Sequence, residues 1–123
     1  MANEAQITIN FGASKNGNSI QAQITKSVDM AANVMLKNTQ SIGTAAEAVF
    51  IGDIVTLGYC YCRNLDATNF IDLALDSGMT QKFAKLLGGA GGGEPAIWPS
   101  AVNVIYARAN TAACEMEVGA IAR

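Results

Sequence analysis

Cysteines, aspartates and a glycine run are the residues of this 123-residue chain best suited to chemistry. Cys60 and Cys62 lie two positions apart and so share a face of any extended strand. Their Cα atoms would then be about 6.5–7 Å apart, which strains a direct disulfide. With Cys114 they make three, an odd count that argues against a closed disulfide framework. A tetrahedral zinc centre takes four ligands, and in a chain with no histidine three cysteines cannot complete one without a carboxylate. The three therefore read as reduced core residues. The lack of histidine also removes the commonest general base for activating a nucleophile.

Asp66, Asp72 and Asp76 invite a paired-carboxylate reading. Asp72 and Asp76 share a face of a predicted strand, yet their spacing puts them about 13 Å apart, beyond the ~5–9 Å that glycoside cleavage uses. Calcium held across residues 64 to 76 would need a ligand spacing that this segment lacks. Solvated turn acids are the simpler assignment. The run Gly88-Gly89-Ala90-Gly91-Gly92-Gly93 suggests a phosphate loop, which needs Lys and then Ser or Thr after its last glycine. Glu94-Pro95 follows instead, and a carboxylate there repels phosphate. Ala90 also breaks the dinucleotide fingerprint, so the run is expected to be a mobile loop. Tyr59, Tyr61, Phe70, Trp98 and Tyr106 could stack a sugar or a base, although packing in a core or an interface explains them as well. The chain is expected to be no enzyme, with no cofactor and no metal.

The elements that would position these residues are strands. Asn16-Gly17 separates two runs that alternate apolar and polar side chains. Ile7, Ile9, Phe11 and Ala13 fall on one side of the first, and Ile20, Ala22 and Ile24 on one side of the second. A period of two places alternate side chains on opposite faces of a strand. Asn-Gly accepts the positive φ values of a type I′ turn. An antiparallel hairpin is therefore predicted over residues 5 to 27, with one apolar face and one face of Gln, Thr and Asn. Further strands are predicted near 33–38, 54–62, 70–76, 81–86, 94–99, 102–108 and 114–121. The segment from 38 to 47 is read as a loop, with at most a single turn near Thr44-Glu47. Prolines at 95 and 99 assign that piece to an edge or a crossing. Between Ile54 and Cys62 both faces are apolar, the mark of a central strand covered on both sides. Eight or nine strands at spacings near ten residues, with no long helical period, predict one all-β domain over residues 1–123. Its expected form is an antiparallel β-sandwich or jelly-roll-like barrel.

Composition narrows the function. Half the residues are hydrophobic and only 15% are charged, against roughly 25% in ordinary soluble domains. Low surface charge weakens repulsion between copies and hints at an assembly. The net charge is −2 and the eight basic residues are scattered, so no stripe exists to neutralise phosphates and nucleic acid is not an expected partner. No apolar stretch approaches the ~20 residues that span a membrane, and no secretory signal is visible at the start.

Several segments resemble small virion proteins of tailed bacteriophages. Ser14-Lys15-Asn16-Gly17, Lys26-Ser27-Val28-Asp29-Met30 and Gln40-Ser41-Ile42-Gly43-Thr44 with Glu47-Ala48 carry the likeness early in the chain. Gly52-Asp53-Ile54 running into Gly58-Tyr59, then Arg63-Asn64-Leu65-Asp66-Ala67-Thr68-Asn69-Phe70, continue it. Phe83-Ala84-Lys85-Leu86, Gly93-Glu94-Pro95-Ala96 and Ile105 to Ala112 complete it. The chain departs from the pattern in its longer glycine run and in Arg63, where a lysine is more usual. The resemblance implies a β-sandwich present in many copies in the virion, on the capsid surface rather than the tail and assembled in the host cytoplasm. It implies a capsid decoration, or cement, protein whose partners are the major capsid protein and copies of itself, with a trimer expected. The alternative is a tail or host-attachment module that binds a receptor or glycan. The expected contact residues are Ile97, Trp98 and Pro99, with Met116 and Val118 of the terminal strand. Trp98 serves equally well as a core plug.

Overall fold

A computed structural model describes residues 4–30 and 32–122. Every regular element in them is a β-strand, and the chain divides into two compact units, residues 1–31 and 32–123. One domain was expected over the whole length. The alternation in the first thirty residues announces an apolar face, but not which sheet, if any, that face joins. Here β1 (Ala5–Lys15) pairs only with β2 (Asn18–Val28), as a two-stranded antiparallel sheet.

The hairpin forms as Asn16-Gly17 predicts. Asn16 has φ 51° and Gly17 φ 82°, the left-handed pair of a type I′ turn. The register runs from Lys15↔Asn18 to Ala5↔Val28 without a bulge. An unbroken register keeps one set of alternate side chains on each face along the whole ribbon, with Lys15 and Lys26 at the two ends of the apolar one.

The second unit is a β-sandwich. Its strands are β3 (Met35–Ile42), β4 (Glu47–Ala48), β5 (Leu57–Asn64), β6 (Ile71–Ala74), β7 (Lys82–Leu86), β8 (Pro95–Pro99), β9 (Tyr106–Ala109) and β10 (Cys114–Ala122). One antiparallel sheet has the order β3-β10-β5-β8 and the other β4-β9-β6-β7. The chain changes sheet at every connection except β6–β7, so nearly all pairing is non-local. The inner faces meet through Ile42, Leu57, Cys60, Cys62, Met116 and Val118 on one side and Ile71, Leu73, Leu86, Ala107 and Ala109 on the other. Alternation drives this arrangement: along β10 every second residue from Cys114 to Ala122 is buried. A register shift where Ala122 pairs with Leu57 lets Leu57 join the inward face of Cys60 and Cys62.

Some boundaries move. The segment read as a loop from residue 38 is strand up to Ile42, held in register by β10 from Cys114↔Ile42 onward. Glu47-Ala48 is a two-residue strand, and no helical turn forms there. The Glu47 carboxylate takes the Gly43 N–H at 3.0 Å and the Gln40 side-chain amide at 3.2 Å, which draws this stretch onto β3. The segment around Pro95–Pro99 is an edge strand as expected, paired on one side with β5.

The glycine run is packed, not slack. Gly88 lies against the backbone of the turn at residues 66–69, where an added Cβ would come within 2.8 Å of the Asn69 carbonyl oxygen. A side chain at Gly93 would collide with the Leu87 carbonyl. Only glycine permits approaches this close. Gly89 N–H bonds Asp66 O at 3.0 Å and Gly93 N–H bonds Asn64 O at 2.6 Å.

Candidate interaction surfaces

The register of β1 and β2 sets every side chain of the hairpin. On one face the cross-strand pairs are Ile9–Ile24, Phe11–Ala22 and Ala13–Ile20. Among the described residues these side chains stay open: Ile9 is 41% exposed, Phe11 60%, Ile20 57% and Ile24 58%. Covering large aliphatic or aromatic side chains contributes about 1.5–3 kcal/mol each. The other face is polar and uncharged, with Thr8 opposite Thr25 and their hydroxyls 3.4 Å apart.

A second apolar surface lies on the outer side of the sheet β3-β10-β5-β8. The registers place Pro99, Tyr59, Ile121 and Met35 in one row across all four strands. The neighbouring row is Ile97, Tyr61, Gly119 and Lys37. Gly119 leaves room for the Tyr61 ring, which would sit 3.4 Å from a Cβ placed there. The Tyr61 hydroxyl donates to Glu117 at 2.9 Å, and Lys37 stands 3.6 Å from the same carboxylate. Burial, then the bond to Glu117, push the Tyr61 hydroxyl pKa up, so it is a neutral donor at physiological pH.

The residues singled out for contact divide along this geometry. Ile97 and Pro99 are exposed on the outer face, with Pro95 beside them. Trp98 points the other way and packs against the core, its ring edge-on to Phe83 at 5.1 Å between centroids. That contact ties edge strand β8 to edge strand β7 of the facing sheet. Met116 and Val118 are fully buried. Their parity within β10 turns them inward, so they belong to the core and not to a contact surface. Tyr59, Tyr61, Ile121 and Met35 were missed as surface residues. Apolar character on both faces of residues 54–62 was the signal, read as cover on both sides when one face is open.

The groups that suggested chemistry are used internally. Asn64 is fully buried at the end of β5. Its side-chain amide donates to Asn69 O at 2.8 Å and Leu86 O at 2.9 Å, and its Oδ1 accepts from Asp66 N–H at 2.9 Å. Asp66 caps its own turn, taking the N–H groups of Asn69 at 2.6 Å and Thr68 at 3.0 Å, and these hold its carboxyl below the usual range. Asp76 does the same for the next turn, through the Thr80 hydroxyl at 2.6 Å and Gln81 N–H at 2.8 Å. Cys60, Cys62 and Cys114 are free thiols, all buried. The hydrogen bond with Cys60, then burial, push the Cys62 thiol up, while the same bond pulls the Cys60 thiol down. Among the described residues no cluster of three or more His, Cys, Asp or Glu could hold a metal.

One charged depression remains, of about 420 Å³, on the outer face of the other sheet. Asp72 pairs across the ladder with Arg108 on one side and Lys85 on the other. Lys82 Nζ lies 3.5 Å from Asp72 Oδ2, while Oδ1 is buried without a partner among the described residues. Lys85 Nζ rests 4.3 Å above the Phe70 ring, and Asn110 lies beside them.

Compared with known proteins, the chain matches no family model, no curated protein and no solved structure.

Proposed function

We propose that this chain is a structural virion protein of a tailed bacteriophage, a capsid decoration protein that stabilises the shell by contacts with the major capsid protein and with copies of itself. The observation that carries the reading is the pair of open apolar strand faces, one on the hairpin and one on the outer side of β3-β10-β5-β8. Exposed contiguous apolar surface marks sites of protein contact. The sheet face sets its apolar rows beside Lys37, Arg63, Glu115 and Glu117, whose charges sum to zero, which suits it to lying on another protein. Of the buried polar groups, Asn64 and Ser100 knit turns together, while Asp72 lines the charged depression on the other sheet. The sequence resemblance adds a shell as the setting. Repetition over a shell multiplies modest contacts through avidity.

The test compares particles carrying the chain with particles lacking it. Hundreds of copies spread over the head, and faster loss of particles on heating or chelation when the chain is absent, are the expected results. Equal resistance of the two particle types overturns the reading. A second reading, a tail or host-attachment module, is favoured by the depression around Phe70, Asp72, Lys85 and Arg108, which offers cations and an aromatic ring to an acidic glycan. A few dozen copies confined to the tail, with saturable sugar binding lost in Arg108→Gln, would establish that reading in place of decoration.

A further inference from the structure

We infer that the depression on the outer face of β4-β9-β6-β7 is a site for a small oxyanion, a carboxylate or phosphate group, held by Arg108, Lys85 and the Asn110 side-chain amide. The inference rests on the depression of the second reading above and deepens it, naming the acid group and not a sugar ring as what is held.

Basic residues lie scattered along the sequence, yet folding gathers three of the eight here. Lys82 and Lys85 come from β7 and Arg108 from β9, and Asp72 of β6 stands between the two strands. Asp72 is the one acid among the lining residues, so three cations against one carboxylate leave the depression at +2. The whole chain carries −2, so this excess is local and runs against the charge of the molecule. Lysines also guard an edge strand against pairing with other chains. That accounts for Lys82 and Lys85 on β7, which has a neighbour on one side only. It does not account for Arg108, because β9 lies between β4 and β6 and has no edge to guard.

Asp72 explains one cation. Its side chain is 7% exposed, and its Oδ2 takes Lys82 Nζ at 3.5 Å. A carboxylate this buried is costly without positive charge beside it. Two cations are left over. The Arg108 guanidinium has no hydrogen bond among the described residues, and Lys85 Nζ has only the Phe70 ring, 4.3 Å away. Asn110 Oδ1 accepts the Phe70 N–H at 3.0 Å, which leaves the amide nitrogen of the same side chain to donate. Arg108 and Lys85 flank Asp72 across two strand spacings, about 10 Å at Cα, a span over which their long side chains can close on one group. The depression is thus rich in donors, while its one carboxylate is paired at Oδ2 and buried at Oδ1. A sugar ring needs acceptors for its hydroxyls and an open aromatic face, and Lys85 covers one face of Phe70. An oxyanion accepts from every side and forms short, charge-assisted bonds with guanidinium and ammonium groups. A volume of about 420 Å³ admits such a group together with part of the molecule that carries it.

The test titrates the full chain at constant ionic strength with inorganic phosphate, with glucuronate and, as an uncharged sugar, with methyl glucoside. The NMR signals of the Arg108 side chain and the Asn110 amide report binding. Phosphate or glucuronate should saturate with a dissociation constant on the order of 1–10 mM, and methyl glucoside should move neither signal. Saturation by only one of the two acids supports the site and identifies its group as phosphoryl or carboxyl. Arg108→Gln should weaken the acid at least about tenfold, the loss of a charge-assisted bond. Lys85 is exposed, so Lys85→Gln keeps the test sound if Arg108→Gln disturbs the sheet, and it should weaken the acid about threefold or more. Lys15→Gln removes the same charge from the hairpin unit and should leave binding within about twofold. No saturation by either acid up to ~100 mM, methyl glucoside bound as tightly as glucuronate, or equal weakening by Lys15→Gln and Arg108→Gln overturns the inference. A chain that binds phosphate yet is spread over the head and takes no acidic glycan refutes only the attachment reading. A chain confined to the tail that binds its glycan but neither small acid refutes only the oxyanion site.

Discussion

In β10 the side chains at every second position are fully or almost fully buried, from Cys114 at 1% to Ala122 at 4% exposed. In the hairpin Ile9, Phe11, Ile20 and Ile24, which alternate in the same way, stay 41–60% exposed. Both regions follow the same period of two and both pair without a break over most of their length. The difference is the number of layers. β10 has a strand on each side and a facing sheet above it, so its apolar face closes against Leu73, Ile71 and Ala107. β1 and β2 have only each other. Alternation decides which side chains share a face. The layer that covers the face decides whether those side chains stabilise the fold or remain available to a partner. The hairpin thus keeps Ile9, Phe11, Ile20 and Ile24 open where β10 closes its own apolar face.

This contrast can be broken most decisively at Met116. Met116→Ala should lower the stability of the sandwich by about 2–5 kcal/mol, the usual cost of a buried large-to-alanine change. Ile24→Ala in the hairpin should leave the sandwich transition within about 0.5 kcal/mol, as exposed substitutions do. Urea unfolding followed by Trp98 fluorescence measures both, and equal effects would erase the distinction between the regions. Next in size is Asn64→Ala. It leaves the Leu86 and Asn69 carbonyls and the Asp66 N–H without their partner, at about 1–3 kcal/mol for a buried group. Hydrogen exchange should quicken in the packed loop at residues 87–94 first, because Gly93 N–H and Glu94 O both bond the Asn64 backbone.

The smallest effect comes with acid. Asp66 and Asp76 are held below the ordinary carboxylate range by the donors of their turns. A carboxyl depressed in the folded state contributes stability above its unfolded pKa, near 3.9, and loses that contribution as pH falls through the folded value. Amide shifts of Thr68, Asn69, Thr80 and Gln81 should therefore move together below about pH 4. Residues 5–28 hold no carboxylate, so the hairpin amides should stay in place over the same range.

Much of the fold was legible because it is written locally. Asn16-Gly17 between two alternating runs specifies a turn whose register follows from the turn itself. Prolines at both ends of β8 mark an edge, because a proline lacks the N–H a ladder needs. The interaction surfaces were only half legible. Ile97 and Pro99 were placed outside, and Met116 and Val118 were placed with them although β10 buries both. Alternation separates two faces of a strand without saying which one is inward. The glycine run reads as slack in sequence because glycine tolerates many conformations, and the close approach that excludes a Cβ at Gly88 and Gly93 exists only after residues 64–69 fold against it.

The order of amino acids alone determined that this chain would be built of strands and where its first turn would fall. These follow from period and turn chemistry, which act over a few residues. The tertiary structure alone decided which apolar faces would be closed. That choice depends on strands distant in sequence meeting as layers, and a sheet buries only the face another layer reaches.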